Sequence, residues 1–525
     1  MTKAPSYRFF SGLRAILIYS FLIFTLAACQ RKGPVAKWPY GVNYEVFVRS
    51  FADSNGDGIG DLKGLTMKLD HLKDLGVGGV WLMPVMPSPS YHKYDVTDYR
   101  NIDPEYGSVE DFKTFVEEAH ARGIRVLIDL VINHTGTAHP WFTDARSGKD
   151  AAHRQYYVWA KKDSIRKQIA KKAVTLDSDN ITQWHAVDGD TTAEHYYGFF
   201  WGGMPDLNMD HPAVRREFIE IGRFWLDSMK VDGFRLDAAR HIYPDERAAD
   251  NHAFWIWFRE EMQRIKPDVY LVGEVWSDAQ TVAPYLKGLP ALFNFDMGYA
   301  ITRTVNTGLD TSGLMAGYQQ ILDFYNSQST EFIDAVFLRN HDQHRVLSEL
   351  AGDGVKMRTA ASILMTLPGT PYIYYGEEIG MLGKKPDEQI REPFLWDVRE
   401  KDGLRTRWED PVHSTDATVT PLAVQRKDSS SLFNFYRNWI TFRNNSQALT
   451  YGKLVASPLG TPGLIAFNRV DGTEELLVLH NLSVQPHTVD LPSGKSGLLF
   501  STMRGTGISG RRLTIPAGGS AVVGN

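Results

Sequence analysis

The chain has 525 residues, a formal net charge of −5 at neutral pH, 43% hydrophobic residues and 23% charged residues. That length exceeds one ordinary compact domain. The near-balanced charge excludes both the basic field of a nucleic-acid binder and an acidic tail. A single cysteine excludes any intrachain disulfide.

At the N-terminus, Lys3, Arg8 and Arg14 precede an uncharged apolar run from Ala15 to Ala28. The run is shorter than the roughly 20 residues of a membrane-spanning helix and suits the apolar region of a signal peptide. It ends in Leu26-Ala27-Ala28-Cys29, which resembles the bacterial lipobox. The expectation is a signal peptide over 1–28, lipidation at Cys29, and anchoring to the cell envelope, on the outer membrane where the host has one. A plain secretory signal with an incidental cysteine is the alternative. Residues 29–37 then form a tether.

From Trp38 onward, short apolar runs alternate with amphipathic stretches. Val42–Val48 reads as a strand, and Leu62–Leu75 as a helix with apolar residues at Leu62, Leu65, Leu69 and Leu72. Val77–Pro84 is a strand, Val109–Arg122 a helix and Arg125–Val131 a strand. The rhythm breaks over 135–207, a polar and aromatic stretch too long for a bare loop, so an inserted subdomain is expected there. It resumes with a helix over Ala213–Lys230 and strands at Gly233–Asp237, Val269–Glu274, Ala291–Phe295, Asp334–Asn340 and Pro371–Gly376. A last helix covers Leu432–Asn444. Eight strands separated by helices predict an α/β fold, a closed (β/α)₈ TIM barrel over 38–445. After 446, short β-rich runs (Leu464–Phe467, Glu475–His480, Ala521–Val523) between Gly, Pro, Ser and Asn predict an all-β sandwich to 525.

Several strands end in ionisable residues: Asn133-His134 after the third, Arg235-x-Asp237 on the fourth, Glu274 on the fifth and His341-Asp342 on the seventh. In a parallel barrel the C-terminal ends of the strands carry the active site. Strand alternation puts Arg235 and Asp237 on one face, where burial without purpose is costly.

Taken together, Asp129-x-x-x-Asn133-His134, Gly233-Phe-Arg-Leu-Asp237, Glu274-Val-Trp, Asn340-His-Asp342 and Met204-Pro-Asp-Leu-Asn208 resemble the signature motifs of the α-amylase family of glycoside hydrolases, in order. The resemblance implies Asp237 as nucleophile, Glu274 as general acid/base and Asp342 as transition-state stabiliser in a retaining mechanism. That division needs one ionised carboxylate about 5–5.5 Å from a carboxyl that stays protonated. It also implies that His134 and His341 bond hydroxyls of the attacked sugar and that Tyr94 stacks on it. Arg240 and His241 stand where the family's Lys-His pair holds the leaving-group side, with Arg replacing Lys.

Asp53, Asn55, Asp57, the Ile59 carbonyl and Asp61 place oxygen donors at every second position, with Gly58 permitting a tight turn. This is hard-cation spacing. Gly64 stands where an EF-hand has its bidentate Glu, so the loop is not an EF-hand. It resembles the calcium loop of α-glucosidase-like members, and Ca²⁺ is the expected cofactor; Asn133 is a candidate for a second site.

Three features bear on substrate. Tyr91 stands where oligo-1,6-glucosidases carry Asp, Met204 where they carry Gln, and Ala238 where they tend to carry Val. All three favour α-1,4 glucans or maltooligosaccharides in an open cleft. The cation loop and Asn340-His-Asp-Gln343 lean the other way, towards the oligo-1,6-glucosidase side, and the mixture implies a subfamily intermediate between oligo-1,6-glucosidase-like and neopullulanase-like members that often also transfers glycosyl groups. Oligo-1,6-glucosidase, α-glucosidase or neopullulanase action, and a non-catalytic carbohydrate-binding or partner role, remain the alternatives. A monomer and no nucleic-acid partner are expected.

Overall fold

The computed structural model describes residues 1, 36–169, 182–187, 194–472 and 474–525. Cys29 and the apolar run before it lie outside the described residues, as does part of the Lys-rich stretch of the insertion. Among the described residues, no helix is long and apolar enough to cross a membrane.

Eight parallel strands close into a barrel: β1 (Asn43–Val46), β2 (Gly79–Leu82), β3 (Arg125–Leu130), β7 (Gly233–Leu236), β8 (Tyr270–Gly273), β9 (Ala291–Asn294), β10 (Ile333–Phe337) and β11 (Thr370–Tyr374). Each of the eight predicted barrel strands has its counterpart, shorter by between one and four residues. The polar ends that the sequence reading included, such as Asp237 and Glu274, lie just past the ladder. Side chains pointing inward from alternate positions (Trp81, Leu127, Tyr270, Val272, Phe293, Phe337, Tyr372) fill the barrel interior. Those of opposite parity (Val80, Val126, Phe234, Leu236, Leu271) pack against the outer helices. Gly233 opens β7 because a Cβ there would stand 1.8 Å from the Tyr270 carbonyl oxygen of the neighbouring strand.

Two predicted helices differ in detail. The stretch read as one helix over 62–75 is two, Leu62–Met67 and Leu69–Leu75, broken at Lys68 (φ −100°, ψ 3°). The Thr66 hydroxyl bonds back to the Leu62 carbonyl and the Lys68 ammonium sits 4.2 Å from the Trp396 ring centre, so the chain bends to meet that ring. The second, Pro212–Arg223, passes into a wider π-turn over Phe224–Ser228 instead of staying α-helical to Lys230.

Between β3 and β7 lies a small antiparallel sheet of β4 (Trp159–Lys161), β5 (Trp184–Ala186) and β6 (Glu194–Tyr197), in the order β4-β6-β5. Beyond the barrel, β12 (Lys453–Ala456), β13 (Leu464–Val470), β14 (Glu475–Asn481), β16 (Gly497–Ser501) and β19 (Ser520–Gly524) form one sheet. The strands β15 (His487–Asp490), β17 (Gly507–Ser509) and β18 (Arg512–Ile515) form another. Leu477, Leu479 and Val523 of the first share one apolar core with Leu513 and Ile515 of the second, which makes the pair a sandwich. Two buried guanidiniums brace this region, Arg443 within the barrel and Arg469 from the sandwich to the barrel. Arg443 donates to the carbonyls of Met365, Leu367 and Gly369, and Arg469 to those of Thr366, Leu449 and Gly452. Their charges rest on carbonyl oxygens at the end of the helix Gly354–Thr366, the end that favours cations.

Candidate active site

Register makes the centre. Asp129 of β3 is the lateral partner of Arg235 on β7, and both side chains point into the barrel mouth and are buried. Arg235 Nη1 donates to both Asp129 oxygens at 2.9 Å and to Asp237 Oδ1 at 2.5 Å. Its Nη2 lies 2.8 Å from Glu274 Oε2. One guanidinium therefore holds the carboxyls of Asp237 and Glu274 together. Ala238, just after Asp237, takes a left-handed conformation (φ 47°), and its N–H donates to Glu274 Oε2 at 3.1 Å. A non-glycine residue at positive φ beside paired carboxyls is a mark of functional strain.

Electrostatics separates the carboxyls. Burial pushes Glu274 up to about 8, with Asp237 and Asp342 adding to it and Arg235 opposing. Burial likewise raises Asp129 to about 7 against the pull of Arg235. Asp342 goes the other way: burial is outweighed by His341, Arg391 and Arg235, which hold it far below the usual carboxylate range. At neutral pH the site thus contains a protonated Glu274 and an ionised Asp342, the asymmetry that acid/base work needs.

His341 is the hub of a second network. Its Nδ1 donates to Glu45 Oε1 at 2.5 Å, and its Nε2 lies 2.7 Å from the Tyr94 hydroxyl and 3.1 Å from Asp342 Oδ2. Burial disfavours its charge, but Asp342 and Glu45 together push it up to about 10. The Tyr94 hydroxyl in turn donates to Asp129 at 3.0 Å, and the Tyr94 ring stacks on His341 at 5.7 Å. His134 is buried and held neutral by its burial; its Nε2 has no protein partner among the described residues. The ring packs edge-on to Phe200 at 5.4 Å. Asn133 lies beside His134 and within hydrogen-bonding reach of buried Asp206.

The structure thus brings together Asp237, Glu274, Asp342, Tyr94, His134, Arg235 and His341. Arg240 and His241 stand one turn further out. Arg240 pairs with Asp245 at 2.9 Å and reaches the Ser277 hydroxyl at 3.4 Å, while His241 stacks on Phe199 at 4.0 Å.

Sequence reasoning missed Glu45, Arg391 and Asp387. Arg391 is buried and donates to Asp342 and Asp387 (3.0 Å each), to the His341 carbonyl (3.0 Å) and to the Tyr91 hydroxyl (3.3 Å). Glu45 left a signal, a lone acid inside the apolar strand Asn43–Val46. Arg391 left none, because it lies in a loop far from every motif.

In the loop over 53–61, Asp53 accepts from the N–H groups of Asn55, Gly56 and Gly58, and Asp57 from that of Ile59. Asp61 accepts from Ser54 and Gly64. Gly58 adopts φ 94°, the tight turn its position calls for. Among the described residues no three His, Cys, Asp or Glu side chains converge as a metal-binding group. The donors the sequence names are a mixed set, the Asn55 amide and the Ile59 carbonyl with Asp53, Asp57 and Asp61, and these three carboxylates do not converge among the described residues.

Residues 45–452 match the family model described as alpha amylase, catalytic domain. The chain belongs to the α-amylase family. Residues 464–522 match the model of the alpha-amylase SusG C-terminal domain. Alpha-amylase 3 of Dictyoglomus thermophilum is 41% identical, over 90% of each chain. The alpha-amylase SusG of Bacteroides thetaiotaomicron is 31% identical over 84% of each. The 4-alpha-glucanotransferase of Thermotoga maritima is 34% identical, over 84% of this chain and 96% of its own. Among solved structures, an alpha-amylase from H. orenii superimposes with a TM-score of 0.85 at 44% identity, over 92% of this chain and 99% of that one. As a member of this family the chain is a glycoside hydrolase, and its barrel with C-terminal β-sheets is the family's fold.

Proposed function

We propose that this enzyme hydrolyses α-1,4-glucosidic bonds in starch-like glucans and maltooligosaccharides with retention of configuration. The observation that carries the reading is the single guanidinium of Arg235, which lies 2.5 Å from Asp237 and 2.8 Å from Glu274 while burial keeps Glu274 protonated. The Asp237 carboxylate attacks the anomeric carbon as Glu274 donates its proton to the departing glycosidic oxygen, leaving a glycosyl ester on Asp237. Glu274, now a carboxylate, takes a proton from water, whose oxygen displaces Asp237 with a second inversion. A sugar hydroxyl in place of that water gives transfer instead of hydrolysis, which accords with the glucanotransferase relatives. Ionised Asp342 faces the sugar ring as cationic character develops, while charged His341 serves as a hydrogen-bond donor to a ring hydroxyl, and His134 Nε2, without a protein partner among the described residues, is available to another.

The loop over 53–61 is proposed to hold Ca²⁺ through Asp53, Asn55, Asp57, the Ile59 carbonyl and Asp61. The ion, when bound, cross-links the loop by charge. Lipidation at Cys29 with anchoring to the cell envelope, and a monomeric state, complete the reading; the sequence around Cys29 supports the anchor.

Product analysis on soluble starch, maltotriose and isomaltose, with Asp237→Asn in parallel, tests the core claim. Short maltooligosaccharides first released in the α configuration, and an inactive variant, are expected. Glucose release from isomaltose in preference to starch would move the enzyme to the oligo-1,6-glucosidases.

A further inference from the structure

Glu45 is the only charged residue of β1, and it shares a register with Trp81 of β2 on one side and Tyr374 of β11 on the other. Its side chain is 2% exposed, and neither neighbour brings a charge. A carboxylate buried in this way is costly unless a cation answers it. His341 answers it: Nδ1 stands 2.5 Å from Glu45 Oε1, and the ring is fully buried.

The ring is held in place without Glu45. Tyr94 stacks on it at 5.7 Å with the planes 12° apart, and Trp81 packs against it nearly at right angles at 5.5 Å. What Glu45 adds is a proton. The other nitrogen, Nε2, faces acceptors: Asp342 Oδ2 at 3.1 Å and the Tyr94 oxygen at 2.7 Å, whose own hydrogen goes to Asp129. Nε2 is therefore an N–H. A neutral imidazole has only one N–H, so its Nδ1 would turn a bare lone pair towards the Glu45 carboxylate. Only the imidazolium satisfies both ends.

That charge lies among the catalytic carboxyls. Burial disfavours an ionised Asp342, and His341 counters it more than Arg391 or Arg235 does. Burial raises Glu274 and Asp129, and the same imidazolium, with Arg235, pulls both back down. Arg391 completes the surroundings by donating to the His341 carbonyl. On the far side, Glu45 faces the Tyr374 phenol, which donates to the Ile390 carbonyl.

We propose that Glu45 is a positioning residue that acts through His341: it fixes the ring as an imidazolium and so sets the charge balance across Asp342 and Glu274. The proposal rests on the hydrolase reading above.

Glu45→Gln tests it. The amide keeps the size of the side chain and can donate to a bare Nδ1, so the hydrogen bond survives while the charge is no longer required. The ring lies between Glu45 and Asp342, so at the carboxyls the loss of its cation outweighs the loss of the acid behind it. On maltoheptaose, kcat is expected to fall about tenfold with KM within about twofold of wild type. Glu274 then keeps its proton to higher pH, and the alkaline limb of kcat/KM moves up by about half a unit. Melting curves give a second readout that needs no activity. Burial lowers His341, but Asp342 and Glu45 carry it from 6.5 up to about 10. The stability it contributes is complete below 6.5 and lost as pH rises to about 10, so the melting-temperature gap between wild type and Glu45→Gln narrows across that window. A limb that stays in place, or a gap that is constant with pH, overturns the assignment even where kcat falls, because a packing role alone would move neither. A wild type inactive on maltoheptaose at every pH would sink the hydrolase reading instead, and the melting gap would then decide the charge by itself.

Discussion

Arg391 gives the sharpest mutational test, because nothing in the sequence marks it and four contacts in the structure depend on it. Replacing it with Met keeps most of the buried volume and deletes the charge. Asp342 then loses a 3.0 Å charged hydrogen bond, and the His341 carbonyl loses another. A hydrogen bond to a charged group contributes about 1.5–3 kcal/mol net. The Asp342 side chain is 29% exposed and keeps His341 at 3.1 Å, so the low end applies. If Asp342 acts in the transition state, kcat/KM on maltooligosaccharides falls by about tenfold. The pH profile carries the diagnostic sign. Asp342 is held ionised to well below the usual range partly by Arg391, and removing that cation raises its pKa. The stabilisation from a depressed carboxyl is present above its unfolded pKa and lost as pH falls through the folded value. The acid limb of both activity and thermal stability therefore moves to higher pH, and Arg391→Lys, which restores charge with fewer bonds, lies between. Initial rates from pH 3 to 9 and melting curves over the same range read this out. An Arg391→Met enzyme within twofold of wild type, with an unmoved acid limb, would refute the argument that Arg391 positions and charges Asp342.

Further outcomes follow from the same networks. Glu274 must be protonated to donate, and burial raises it to about 8, so kcat/KM falls as pH rises through about 8. A buried carboxyl with a raised pKa also costs stability as pH climbs from its unfolded value towards 8, so Glu274→Gln is inactive yet melts higher than wild type at neutral pH; a lower melting temperature contradicts this. Chelation lowers the melting temperature of wild type and leaves that of Asp57→Ala unmoved; no shift in wild type, with no calcium by elemental analysis, removes the cation proposal. Labelled palmitate enters wild type and not Cys29→Ala, and equal labelling ends the lipid-anchor proposal.

The barrel was legible because its strands are short, apolar and bounded by polar residues at one end. Gly233-Phe-Arg-Leu-Asp237 announces both a strand and a site, since period-two alternation sets Arg235 and Asp237 inward and Phe234 and Leu236 outward. The same logic placed Glu274 and Asp342. What stayed hidden arises from long-range contact. Arg391 meets Asp342 across 49 positions of chain, and His341 meets Glu45 across 296. The break at Lys68 was invisible because the helical spacing continues through it, and only packing against Trp396 shows why the chain bends. The insertion was recognised by its lack of periodicity, but its sheet was not, since three-residue strands such as Trp159–Lys161 are too short to show an alternation.

The hidden contacts also connect features that the sequence presents as separate. The loop over 53–61 packs directly on the segment before Trp408: Asp53 N–H donates to the Leu404 carbonyl at 2.9 Å and Arg407 N–H to that of Gly58 at 2.6 Å. Trp408 stacks on Tyr91 at 5.2 Å, and the Tyr91 hydroxyl accepts from Arg391, which grips Asp342. Among the described residues nothing comparable leads from the loop to Glu274, which is held by Arg235 and the Ala238 N–H. The loop is therefore placed to set the position of Asp342 and the wall around Tyr91, while the proton donor is set by the barrel strands. Tyr91 has a physical role in this arrangement. A carboxylate there would pair with Arg391 and compete with Asp342 for it, whereas a phenol accepts one long hydrogen bond and leaves the charge of Arg391 to Asp342 and Asp387.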